Sequence, residues 1–142
     1  MDPRVNFITI AVADVAAARR FYVDGLGWPP VLDTPGVVMI RLGPTLVLSL
    51  WAQEEFEAEV APIRRGNGVP GFTLAHNLPS ANAVDEVLDA ASAAGAGHVS
   101  PGRHSDWGGY SGYFADPDGV RWEVAYNPGP LGTDLMEASG LV

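Results

Sequence analysis

The chain has no cysteine and no lysine; all eight of its basic side chains are arginine. Without cysteine there is no disulfide framework, no thiolate nucleophile, no zinc finger and no iron–sulfur cluster. Without lysine there is no Schiff-base chemistry and no P-loop lysine. Positive charge is scarce in general: 8 basic residues stand against 17 acidic ones, for a formal charge of −9. An acidic surface repels phosphate backbones, so nucleic acid is not expected as a partner. The same surface keeps the chain soluble and favours neutral or cationic ligands at long range. Long apolar runs are also missing, so no membrane-spanning segment is expected. The opening MDPRVNFITIAV places an acid at position 2 and no basic region before its apolar residues, unlike a secretory leader. The expected location is the cytoplasm.

What is present is an ordinary globular composition, 47% apolar and 18% charged over 142 residues. A chain of this size buries roughly two-thirds of its unfolded surface, so it needs no metal or cross-link merely to stay folded. Val5 to Val12 is rich in β-branched and aliphatic residues and reads as a strand. Asp14 suits a helix N-cap, and Val15, Ala18, Phe21, Tyr22 and Leu26 then recur at helical spacing. Gly25 and Gly27 are candidates for the left-handed residue that ends this helix. A weak strand is expected near Val31-Leu32. Val37 to Leu42 and Thr45 to Trp51 read as a hairpin through Gly43-Pro44. Residues 53–69 form a connector. Its acidic start is expected to be a short helix packing Phe56 and Val60, and Arg64-Arg65-Gly66-Asn67-Gly68 is turn chemistry.

The second half follows the same order. Phe72 to His76 reads as a strand, and Ser80 or Asn82 caps a helix whose buried stripe is Val84, Val87, Leu88 and Ala91, stopped by Gly95. A short strand over Ala96 to Ser100 follows. Then come strands over Tyr110 to Ala115 and Val120 to Tyr126, joined by Asp116-Pro117-Asp118-Gly119 in a type I turn. Thr9-Ile10-Ala11 lines up with Thr73-Leu74-Ala75. The repeated β-α-β-β-β order is the stronger sign of duplication. The class is α+β, one domain over 1–142. It has modules over about 1–52 and 70–128 and a Pro- and Gly-rich tail over 129–142 read as a loop with a short terminal helix.

Phe7 to Asp14 with Arg20-Phe21-Tyr22-Val23-Asp24-Gly25-Leu26-Gly27, together with Trp107 to Gly119 and Arg121 to Pro128, resembles the glyoxalase/bleomycin-resistance/extradiol-dioxygenase superfamily, also called vicinal oxygen chelate. The resemblance covers positions 5 to 128. It implies paired βαβββ modules whose curved mixed sheets surround a cavity, and a homodimer. Strand alternation is consistent with such a cavity. Ile8, Ile10 and Val12 pack under the helix while Phe7, Thr9 and Ala11 face the cavity. Phe72, Leu74 and His76 take the helix side while Gly71, Thr73 and Ala75 face inward. Trp122, Val124 and Tyr126 pack while Arg121, Glu123 and Ala125 face inward.

The resemblance also implies where a metal would sit in metal-dependent relatives: at the starts of strands one and five, on strand four and on the final strand. Here those positions hold Phe7, Gly71, Ser49 or Trp51, and Glu123. One carboxylate cannot grip a transition ion, so no metal and no other cofactor is expected. His98 and His104, on either side of Pro101-Gly102, have no spacing that converges on one ion. Glu123 is open to several roles: a structural carboxylate paired with Arg121 or Arg41, a ligand-binding group, or, if the chain is an enzyme, its catalytic acid–base. The expected ligand-binding residues are Phe7, Thr9, Trp51, Thr73, Trp107, Tyr110 and Glu123, with Trp28 and His104 as further candidates.

The function this supports is metal-free binding of a small, partly aromatic molecule, in the manner of drug or natural-product sequestration in the bleomycin-resistance branch. Two alternatives stand beside it. One is a metal-dependent lyase, isomerase or dioxygenase of the same superfamily. The other is a metal-free enzyme using Glu123.

Overall fold

The computed structural model describes residues 1, 3–63, 66 and 68–140. Arg64, Arg65 and Asn67 of the expected connector turn, and the last two residues of the tail, lie outside the described residues. The chain divides into two compact units, residues 1–67 and 68–142. Each is built on its own four-stranded mixed sheet with two free edges, so neither sheet closes into a barrel. Among the described residues no helix is long and apolar enough to cross a membrane.

In the first unit, β1 (Phe7–Val12), β2 (Pro30–Asp33), β3 (Val37–Arg41) and β4 (Val47–Ala52) are ordered β1-β4-β3-β2, with β1 and β4 parallel and the other pairs antiparallel. Ile10, Val12, Val38, Ile40, Leu48 and Leu50 are buried on one face, under helix α1 (Val15–Arg19). Asp14 caps that helix by accepting from the Ala17 amide at 3.0 Å, which satisfies one of the free first-turn donors. The helix does not run on as the spacing predicts. From Arg20 to Gly25 it widens into a π turn, which carries Phe21 and Tyr22 into the core, and Gly27, at φ +73°, makes the left-handed exit. Arg19 binds Asp24 at 2.9 Å and Asp33 at 2.8 Å, tying this turn to β2. Helix α2 (Gln53–Glu59) follows β4 directly. Phe56 packs edge-on to Trp51, but Val60 is 60% exposed: the helix has ended, and its last residue does not reach the sheet.

In the second unit, β5 (Leu74–Asn77), β6 (His98–His104), β7 (Tyr110–Ala115) and β8 (Arg121–Tyr126) are ordered β5-β8-β7-β6. Helix α3 (Ala81–Ala93) covers β6, β7 and β8 with Val84, Leu88 and Ala91. Ser80 is its cap, accepting from the Ala83 amide at 3.2 Å. Gly112 on β7 leaves room for Leu88, since a Cβ there would strike Leu88 and the backbone of β6.

Three expectations need correction. Phe72 lies before β5 rather than in it and is 50% exposed, because pairing with β8 starts only at Leu74. The sixth strand runs on to His104, and Pro101-Gly102 is a bulge inside it. The tail is mostly helical, α4 (Pro130–Ala138), with Gly132 seated against the Asn127 backbone where a Cβ would collide.

His76 takes the helix side of β5, opposite Val124, and burial pushes its imidazole below the ordinary 6.5. The folded chain therefore holds this proton more weakly than the unfolded chain. The stability this gives is full above about pH 6.5 and is lost as pH falls through the lower folded value. The urea midpoint is expected to fall between pH 7 and 5.5 more steeply in the wild type than in His76→Gln. Parallel curves would remove His76 as the source.

Candidate functional site on the open face of the second sheet

Strand alternation leaves each sheet one face without its helix. In the first unit that face carries Phe7, Thr9 and Ala11 on β1 opposite Val47, Ser49 and Trp51 on β4. Phe7 is 54% exposed, whereas Ser49 is buried. Trp51 is half-buried, and its indole N–H donates to Glu55 Oε2 at 2.7 Å, so α2 holds it in place. Phe7, Thr9 and Trp51 thus share one surface.

In the second unit the open face is organised in rows across three strands. One row is His98, Ala115 and Arg121; the next is Ser100, Tyr113 and Glu123, continued by Ala75 on β5. Tyr113 donates its phenol to Glu123 Oε1 at 3.0 Å. Burial first, and then the carboxylate it binds, holds that phenol above its ordinary pKa, so it stays a donor. His98 Nε2 and Ser100 Oγ are 2.9 Å apart, and the Thr73 hydroxyl donates to the Arg121 carbonyl at 2.8 Å. Of these residues Thr73, His98, Ser100, Tyr113 and Arg121 border an open cleft of about 460 Å³, whose lining also includes Val69, Pro70, Gly71 and Phe72. The volume lies in the range of small-molecule sites.

Sequence reasoning placed Thr73, Arg121 and Glu123 on the inward face but did not single out Tyr113, His98 or Ser100 as part of the same surface. The missing signal was the β7–β8 register, which sets Tyr113 opposite Glu123. Glu123 pairs neither with Arg121 nor with Arg41; the Arg41 guanidinium instead donates to the Pro44 carbonyl at 3.0 Å.

Tyr110 is on the opposite face from Glu123. Its even position in β7 turns it toward α3, where its hydroxyl donates to Asp85 at 2.9 Å and its ring fills the space left by Gly102. That bond, then burial, raises its pKa. His104 stands edge-on to the same ring at 4.9 Å. Trp107 is 58% exposed in the turn from Ser105 to Gly109 and folds its ring over Gly109, where no side chain would fit. Trp28 tilts against Tyr22, and Trp122 stacks on Phe114.

A mixed sheet with a helix on one face and a polar, partly open surface on the other, built twice from β-α-β-β-β, defines a class of proteins assembled from βαβββ modules. The sequence model of the Glyoxalase/Bleomycin resistance protein/Dioxygenase superfamily matches residues 4–124, and the chain belongs to that superfamily. A glyoxalase-related enzyme from Fulvimarina pelagi is 32% identical, with 89% of each chain covered and a TM-score of 0.80. Lactoylglutathione lyase from Agrobacterium tumefaciens is 26% identical over 89% of this chain and 96% of its own, with a TM-score of 0.66. A glyoxalase/bleomycin resistance protein/dioxygenase from Nocardioides, 24% identical over 91% and 89%, shares the fold at a TM-score of 0.75. A comparison with curated proteins finds no match.

The strand registers make the metal question concrete. Residues 42–46 and 116–120 are hairpin connections of equal length, which makes Ser49 the counterpart of Glu123. Thr9 lies opposite Ser49 and Ala75 opposite Glu123, so Phe7 corresponds to Thr73, not to Gly71. The sequence alignment of Thr9 with Thr73 is thus two residues out of step with the sheets. The implied ligand positions hold a phenyl ring, a buried hydroxyl, a threonine whose hydroxyl donates to a carbonyl, and one carboxylate that already accepts a phenol. Among the described residues no three His, Cys, Asp or Glu side chains gather as a cation would require. These side chains do not fit a resident transition ion.

Proposed function

We propose that the chain binds a small, partly aromatic molecule on the open face of its second sheet, and does so without a resident metal. The donor set carries this reading: of the positions a metalloenzyme of this superfamily would use, only Glu123 is a competent ligand type, and Tyr113 engages it at 3.0 Å. Recognition then rests on shape, on hydrogen bonds from the polar rows and on aromatic contacts, each adding about 0.5–1.5 kcal/mol beyond burial. Sequestration fits this better than Lewis-acid chemistry. Protein stripped with chelator is expected to give saturable calorimetric binding with members of a panel of aromatic natural products and xenobiotics, and returning Zn²⁺, Mn²⁺ or Fe²⁺ should leave it unchanged. Stoichiometric metal in untagged protein, or no saturable binding across the panel, would overturn the reading.

The Tyr113–Glu123 pair favours a second reading. A phenol held protonated beside a carboxylate is a donor–acceptor pair suited to acid–base chemistry. The lyase named among the relatives makes turnover a concrete alternative. Mass spectrometry of ligands recovered from the same titrations separates the two: unchanged ligand supports binding, and converted ligand supports catalysis.

A further inference from the structure

His98, Ala115 and Arg121 lie opposite one another on β6, β7 and β8. Ala115 is 3% exposed and stands between the two longer side chains in this row. Their backbones stand two strand spacings apart, roughly 10 Å. Both flanking residues border the cleft.

The state of the arginines singles out one of them. Among the described arginines only Arg19 and Arg121 are half-buried. Arg19 is matched by two carboxylates, Asp24 and Asp33. The Arg121 guanidinium meets no carboxylate or other acceptor among the described residues. Glu123 is engaged by Tyr113, and Thr73 binds the Arg121 carbonyl rather than its guanidinium. Five donors on a planar cation, partly withdrawn from water at the edge of a concave surface, call for an oxyanion. The wall of Val69, Pro70 and Phe72 is apolar, and Val69 and Phe72 are 60% and 50% exposed. One end of the cleft is basic and the other greasy.

We infer that the ligand of this cleft is an amphiphilic organic anion, its carboxylate or phosphate seated between Arg121 and His98 and its planar apolar body against Phe72, Val69 and Pro70. This rests on the proposed binding function and narrows its ligand class. It also departs from the preference for neutral or cationic ligands that the net charge of −9 implies. The long-range field is screened within about 8 Å at physiological salt, so direct contact with Arg121 decides the sign of the ligand.

The test uses three probes of one shape: benzoate, phenyl phosphate and neutral benzamide. Each is titrated into the full chain with amide chemical shifts as the readout. At least one of the two anions is expected to bind roughly tenfold more tightly than benzamide, with shifts centred on Thr73, Ser100, Tyr113 and Arg121. The stronger of the two identifies the head group. Arg121→Gln should erase that preference, leaving the anions no tighter than benzamide, and Arg121→Lys should restore part of it. The spectra themselves report whether each variant is folded. Equal binding of all three probes, or a preference that survives Arg121→Gln, overturns the anion assignment while leaving the cleft a binding site. No shift at these residues with any probe overturns it too, and the aromatic panel then decides separately whether the binding function stands.

Discussion

Tyr22→Ala is expected to destabilise the first unit by about 3–5 kcal/mol, the range for truncating a fully buried aromatic ring. Tyr22 is 0% exposed and heads the fully buried side chains by volume. Its ring meets Phe21 edge-on at 5.1 Å and leans on Trp28 at 5.7 Å. The surrounding backbone resists collapse into the gap: the π turn is fixed by the Leu26 amide on the Phe21 carbonyl at 2.9 Å and by the Trp28 amide on the Tyr22 carbonyl at 3.1 Å. A cavity that cannot close gives the upper part of the range. Tyr22→Phe keeps the ring and should cost about 1 kcal/mol. Urea unfolding followed by amide shifts resolves the first unit from the second. A loss under 1 kcal/mol for the alanine variant would show that the aromatic cluster is not what holds the helix to the sheet.

The same region shows what was legible in the sequence. Val15, Ala18, Phe21 and Tyr22 announced a helix with its apolar face toward the strands, and all four are buried. Their spacing cannot distinguish an α turn from a π turn, because both bury the same residue types. Only the hydrogen-bond pattern past Arg19 separates them. Strand existence was legible throughout, since the β-branched runs and the glycine and proline breaks are local signals. Strand ends were less so. The sixth strand continues through Pro101-Gly102 because a bulge absorbs the proline, and β5 starts late because its partner β8 begins at Arg121.

The site was legible in its chemistry and not in its register. Glu123 stood out as the one carboxylate among the implied ligand positions, and alternation put it on the inward face. Its partner did not stand out, because Tyr113 is ten residues away in sequence and adjacent only once β7 and β8 pair. Tyr110 stood among the expected ligand-binding residues, but its face depends on strand parity. A shift of one residue in a strand changes face, and that parity sends Tyr110 to Asp85 on α3 while Tyr113 goes to Glu123. His98 and His104 are separated in the same way. The bulge between them changes the phase, so His98 joins the Arg121 row and His104 joins Tyr110.

The second large effect is expected at the turn that sets this register. Asp116→Ala should cost about 3 kcal/mol, because it strips the acceptor from two backbone amides, one buried and one part-buried. Asp116 is 2% exposed, and its Oδ1 accepts from the Asp118 amide at 3.0 Å and the Val120 amide at 2.9 Å. Gly119, at φ +85°, completes the turn, and the Asp116 amide donates to the Val120 carbonyl at 3.0 Å. Asp116→Asn retains a carbonyl oxygen for the same two amides and should cost only about 1 kcal/mol. Chemical denaturation of the two variants gives the comparison, and equal losses would mean that packing rather than the paired acceptor holds the turn. The effect should also reach the cleft, since Val120 directly precedes Arg121 and the hairpin holds Tyr113 against Glu123. Faster amide exchange along residues 120–123 in Asp116→Ala, with exchange in the first sheet unchanged, is the expected signature. A buried carboxylate outside the cleft lining would thus govern whether the basic and acidic rows of the open face stay in step.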